Sequence, residues 1–209
     1  HPARPDIKGI DRFRGAMFHT AEWDHSVALR GKKVGIIGTG STAAQVIPEL
    51  AGKAEVVNVF QRTPQWVLPI PNRSVTEKEK RKLRRNPVRV QLLRSVYNWA
   101  LAQLLTKAVT GHKVQNFFFS QLCKHYMRWA VKDPALRKQL TPDYKVGCKR
   151  IIISSTLIPA LQRDDVNVIT DGIEEITERG VLTCDGKHHD LDVLVLSTGF
   201  NPVAYMRPM

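Results

Sequence analysis

Short unbroken apolar runs alternate along this chain with stretches whose apolar positions recur at helical spacing. Lys33-Val34-Gly35-Ile36-Ile37 predicts a strand, Gly38-Thr39-Gly40 a turn, Ser41 to Leu50 a helix, and Glu55 to Phe60 a second strand. The unit from 33 to 60 is a βαβ of the usual size, roughly 30 residues. Both of its strands are continuous and apolar, as strands buried on both faces are. Ahead of it, residues 1 to 31 carry Pro2, Pro5, Gly9 and Gly15 and keep no period, which predicts an extended connector with one helical turn near Glu22.

From Thr76 the pattern changes. Thr76 and Glu79 have the spacing of a capping box. After Pro87, Val88 to Thr110 predicts a helix with a narrow wet stripe at Gln91, Arg94, Ser95, Asn98, Gln103 and Thr106. A third helix is expected from Val114 to Val131, with Phe117, Phe118, Leu122, Tyr126 and Trp129 near helical spacing. Asp133-Pro134 supplies an N-cap and an N1 proline for a short helix to Leu140. Strands then resume at Ile151 to Ile153, Val166 to Ile169, a hairpin from Ile173 to Asp192 turning at Asp185-Gly186, and Val193 to Leu196. The order predicts an α/β fold, a Rossmann-like doubly wound parallel sheet with a helical insert and a β-hairpin. The expected divisions are a connector (1–30), the βαβ unit (31–75), the basic insert (76–147), the rest of the nucleotide domain (148–196) and a return segment (197–209).

Composition adds location and charge. With 43% hydrophobic and 24% charged residues, the 209 residues can bury a core. Cys123, Cys148 and Cys184 form no C-x-x-C pair and leave an odd one over, which argues against a disulfide framework or zinc ribbon and fits a reducing cytoplasm. No apolar signal segment opens the chain, and His1 reads as a cut inside a longer protein. The net charge of +13 is local: Glu77 to Arg150 holds 18 Lys and Arg against 4 Asp and Glu. Such an insert suits a phosphate-bearing cofactor, an anionic membrane surface or an acidic neighbouring domain, and the sum does not choose among them.

The segment VGIIGTGSTAAQ carries the strongest chemical signal. Gly38 allows the tight turn, Gly40 lets backbone approach a pyrophosphate, and Ala43 keeps helix and sheet close. The helix start offers free N–H groups and partial positive charge, and Ser41, Thr42 and Gln45 add side-chain donors. An NAD site ends its second strand with an acid; here the chain reads Phe60-Gln61-Arg62-Thr63-Pro64. Arg62 can fork onto a 2′-phosphate and Thr63 can donate to it, which favours NADP(H), although a solvated surface arginine would read the same way.

Phe13-x-Gly15-x-x-x-His19-x-x-x-Trp23-Asp24 resembles the fingerprint of type I Baeyer–Villiger monooxygenases. GTGSTAAQ, QRTP, GCKR (Gly147 to Arg150) and LVLSTGF (Leu194 to Phe200) follow in that family's order, and DPALRKQLTPDYKVGCKR is most similar to its 4-hydroxyacetophenone monooxygenase-like branch. The resemblance implies an NADPH- and FAD-dependent enzyme acting on small ketones, of which this chain is the central NADP portion, inactive alone. It implies that Thr39, Gly40, Ser41, Thr42 and Gln45 hold the pyrophosphate side of NADPH, that Arg62, Thr63 and Lys149 bind the 2′-phosphate region, and that Arg150 lies over the flavin and stabilises an oxyanion. His19 is implied as a hinge, and Asp192 with Ser197-Thr198-Gly199 as the strand returning to the flavin domain. Lys145 and Ser197 stand where relatives often have proline and alanine. On the residues alone, Lys149-Arg150 reads as a solvated basic pair. Only one glycine turn of this kind occurs, so the main FAD site is expected outside these residues.

Other candidates carry less. The uncharged run Ser95 to Thr106 has 12 residues, short of the roughly 20 that span a bilayer. It could instead lie at a membrane interface or pack on the rest of the enzyme. His188-His189 lacks further ligands for a metal site, and Lys80 to Arg85 lacks any nucleic-acid motif, so neither partner is expected. A module of some other NADPH-dependent reductase, a heteroatom-hydroxylating flavin enzyme and a basic adaptor remain as alternatives; Trp23-Asp24 favours ketones.

Overall fold

The computed structural model describes residues 1–69, 74–110 and 112–201. In chain order a 3-10 turn (Ile10–Arg12) precedes β1 (Ala16–His19), β2 (Lys33–Ile37), α1 (Ala43–Leu50), β3 (Val56–Phe60) and β4 (Val67–Leu68). The insert follows as α2 (Glu77–Arg84), α3 (Pro87–Leu101), a π-helical stretch (Ala102–Thr106), α4 (Lys107–Val109), α5 (Lys113–Ala130) and α6 (Pro134–Leu140). Then come β5 (Ile152–Ile153), α7 (Leu157–Ala160), β6 (Val166–Ile169), β7 (Ile173–Thr177), β8 (Gly180–Thr183), β9 (His188–Asp190) and β10 (Val193–Leu196).

Five strands form one all-parallel sheet in the order β1-β10-β2-β3-β6. From β2 the chain steps outward through β3 to β6, then crosses back to place β10 on the other side of β2. In open parallel sheets such a reversal of strand order marks the carboxyl ends of the strands as the side where ligands bind. One face of the sheet buries Val34, Ile36, Val57, Val59, Val193 and Val195 against α1, α7 and the insert. The other buries Ile37, Phe60, Leu194 and Leu196 against Ile10, Ile176 and Val181, so the antiparallel sheet β7-β8-β9 covers it. Central strands without an alternating pattern follow from this two-sided burial.

Several elements differ from the sequence expectation. The connector supplies β1, an edge strand with only Ala16 to His19 in register with β10, too short to show a period. The expected strand Val193–Leu196 is interior to this sheet as β10, and the Asp192 carboxylate just ahead of it accepts the Lys33 N–H at 2.8 Å. The hairpin is a three-stranded meander, because the chain turns at Glu178-Arg179 as well as at Asp185-Gly186. The outer part of the return segment, residues 202–209, lies outside the described residues.

The local helix signals are realised. Thr76 Oγ1 accepts the Glu79 N–H at 3.3 Å and Glu79 accepts the Thr76 N–H at 2.9 Å, which completes the capping box of α2. Asp133 caps α6 through the Ala135 and Leu136 N–H groups. Burial departs from the spacing. α3 has no buried residue, and Val88, Leu92 and Trp99 are more than half exposed. On α5 the inward residues are Phe119, Cys123, Tyr126 and Met127, while Phe117, Phe118, Leu122 and Trp129 point outward. Burial raises the Cys123 thiol to about 11, so it is an inert core group. Among the described residues no helix is long and apolar enough to cross a membrane.

Candidate nucleotide-binding site

Gly38 ends β2 with φ of 114°, and a Cβ there would stand 2.3 Å from the Ser197 carbonyl oxygen. Glycine is therefore required twice over, by the backbone conformation and by the approach of β10. Gly40 differs, since a Cβ there would meet nothing within 4 Å. Its smallness serves no contact inside the chain, and the open space lies beside the first turn of α1. The Ala44 and Gln45 N–H groups donate to the Gly40 and Thr42 carbonyls, no side chain caps the turn and no acid sits in it, so the partial positive charge of the helix start is not offset within the turn.

The predicted donors divide into exposed and committed ones. Ser41 and Thr42 are exposed. Gln45 Nε2 donates to the Ser41 carbonyl at 3.2 Å, and Thr39 Oγ1 donates to the Thr63 carbonyl at 3.1 Å. This second bond ties the glycine turn to the loop after β3, so the two halves of the predicted site are neighbours. Arg62 is exposed on that loop, and among the described residues no carboxylate engages it. Buried Gln61 anchors the loop's start by donating from Nε2 to the Gln139 carbonyl at 3.0 Å.

Sequence reasoning missed the knot that joins this loop to GCKR. The Tyr144 hydroxyl donates to the Pro64 carbonyl at 3.0 Å and lies 3.2 Å from Gln65 Oε1, while Trp66 Nε1 donates to the Tyr144 carbonyl at 2.9 Å. Burial pushes the Tyr144 phenol up, which keeps it a donor at neutral pH. Lys149 Nζ sits 4.8 Å from the centre of the Tyr144 ring. The Cys148 N–H to Lys145 carbonyl bond of 3.1 Å, with Gly147 at φ 95°, makes the tight turn from which Lys149 and Arg150 emerge. Parallel pairing of Val67 with Ile152 then places exposed Arg150 on the lead-in to β5, opposite the same loop. A polar-tipped aromatic inside the DYKVGCKR run was the available signal.

The fingerprint residues hold structure. A Cβ on Gly15 would meet the Asp192 carbonyl at 2.4 Å. Trp23 packs edge-on to Phe18 at 4.9 Å, and Asp24 accepts both the hydroxyl and the N–H of Ser26, bonds that hold its carboxyl below the usual range. His19 Nδ1 accepts the Ala21 N–H at 3.1 Å. Its Nε2 and the Ser197 hydroxyl, both buried at the carboxyl edge of the sheet, find no partner among the described residues.

The model of the family described as flavin-binding monooxygenase-like matches residues 3–206. The chain belongs to this flavin-binding monooxygenase-like family. A Baeyer–Villiger monooxygenase of Streptomyces coelicolor is 41% identical over 200 residues, covering 96% of this chain and 38% of the relative. One from Pseudomonas aeruginosa is 38% identical, covering 95% and 38%. Among solved structures, an oxidized steroid monooxygenase bound to NADP matches with a TM-score of 0.82 at 30% identity, over 96% of this chain and 45% of that one. Open cyclohexanone monooxygenase matches at 0.80 and 27%, over 96% and 46%. The chain spans about two fifths of the length of the curated relatives it matches.

Proposed function

We propose that these residues form the NADP(H)-binding portion of an NADPH- and FAD-dependent monooxygenase of the Baeyer–Villiger type. The overall reaction converts a ketone, O2, NADPH and a proton into an ester, NADP+ and water. The bound nicotinamide supplies the hydride and the bound flavin the oxygen chemistry. The residues present fit a phosphorylated dinucleotide: open space over Gly40, a start to α1 without a side-chain cap, and cations at Arg62 and Arg150 that no carboxylate engages among the described residues.

In this reading the α1 start and the backbone at Gly40 to Thr42 receive the diphosphate, with the Ser41 and Thr42 hydroxyls beside it. Thr39 holds the turn in register with Thr63, leaving Arg62 and the Thr63 side chain to meet the 2′-phosphate. Lys149 adds a second cation. Arg150, exposed and without a carboxylate partner among the described residues, would stabilise a negatively charged oxygen at the flavin when that cofactor is bound. Ketones rather than heteroatoms are proposed as substrates because two relatives of about 40% identity carry the Baeyer–Villiger name.

The observation that carries this reading is an exposed arginine just after β3, in place of an acid, that no carboxylate engages among the described residues. A charged hydrogen bond contributes roughly 1.5 to 3 kcal/mol, which corresponds to a preference for NADPH over NADH of about ten- to a hundredfold. Titrating the full-length flavoprotein with both nucleotides should show that preference, and Arg62→Ala should abolish it. Equal affinities in the unmutated enzyme would contradict the reading.

A further inference from the structure

Between Gln61 and Val67 the chain forms no strand, and Pro64 lacks the N–H with which it could join a ladder. This loop is held instead by bonds from outside it. Gln61 is fixed by its own backbone and side chain, Thr63 by Thr39, Pro64 by the Tyr144 hydroxyl, and Trp66 by the Tyr144 carbonyl and the Ile152 N–H. The ring that anchors Pro64 also lies under Lys149. Its neighbours Trp66 and Val146 belong to one buried cluster with Phe119 and Cys123 of α5, so the anchor is backed by core packing.

We infer that Tyr144 is a positioning residue that sets the preference for the 2′-phosphorylated nucleotide, by holding the Arg62 loop and Lys149 in a single arrangement. The inference rests on the proposed assignment of Arg62, Thr63 and Lys149 to the 2′-phosphate. With the phenol bond removed, the loop between Thr63 and Trp66 gains freedom that binding of the phosphate has to remove again. A nucleotide lacking that phosphate does not need the loop ordered. The cost therefore falls on NADPH and spares NADH.

The test uses the full-length flavoprotein, with Tyr144→Phe to delete the hydroxyl, Tyr144→Leu to delete the ring, and Arg62→Ala as reference. Tyr144→Phe should lower the NADPH preference about three- to tenfold, through KM for NADPH, with kcat and KM for NADH unchanged within about twofold. Tyr144→Leu should lower it further, because Lys149 loses its platform. In the Arg62→Ala background, Tyr144→Phe should have no further effect on preference. If Tyr144→Phe leaves the preference unchanged, or weakens both nucleotides equally while Arg62→Ala abolishes the preference, the positioning role is overturned. If Arg62→Ala itself leaves the preference intact, the assignment of the 2′-phosphate site fails and this inference falls with it.

Discussion

The parallel sheet and the helical insert are built on opposite terms. In the sheet, Val34, Ile36, Val57 and Val195 are fully enclosed between two layers. In the insert, α3 encloses nothing, and α5 divides its aromatic residues between core and solvent. The sheet is held by two-sided apolar burial; in the insert α2 and α3 bury nothing and rely on caps at Thr76 and Asn86, while α5 and α6 join the sheet's core through Tyr126, Met127, Val131 and Leu140 and the cluster around Trp66 and Phe119. A chemically useful loop sits where the two regimes meet.

The comparison is sharpest in paired substitutions. Ile36→Ala empties a site with 0% exposure and should cost about 2–5 kcal/mol. Leu92→Ala on α3 should change stability by no more than about 0.5 kcal/mol. Urea unfolding of the chain reads both, and equal losses would erase the distinction. Gly38→Ala is next in size, costing about 1–3 kcal/mol because its φ and the Ser197 carbonyl both oppose a Cβ. Gly40→Ala should leave stability within about 0.5 kcal/mol while weakening nucleotide binding, since its Cβ meets only the space a ligand would fill. Loss of stability at Gly40 without loss of binding would reverse the roles assigned to the two glycines.

The same contrast explains what was readable in the sequence. β2, β6 and β10 were predicted to the residue and β3 to within one, because each is a short run of mainly Val, Ile and Leu in which Asn58 and Asn167 are the only polar interruptions after Lys33. The helix starts were readable because Thr76 and Asp133 act on neighbours three or fewer residues away. β1 was not, because four residues gain strand form only from pairing with β10, some 177 positions later. On α5, Phe117 and Phe119 are chemically alike, and only the position of β4 and Val146 decides that Phe119 goes inward. Of the candidate site, Gly38, Gly40 and Arg62 were legible as a motif, while the Tyr144 to Pro64 bond joins residues 80 apart and leaves no periodic trace.

A structure of the full-length enzyme with NADP would show where the nucleotide sits. The diphosphate should lie over Gly40 at the start of α1 and the 2′-phosphate between Arg62, Thr63 and Lys149. A nucleotide bound with its diphosphate away from α1, or with its 2′-phosphate facing solvent beyond reach of Arg62, would contradict that placement.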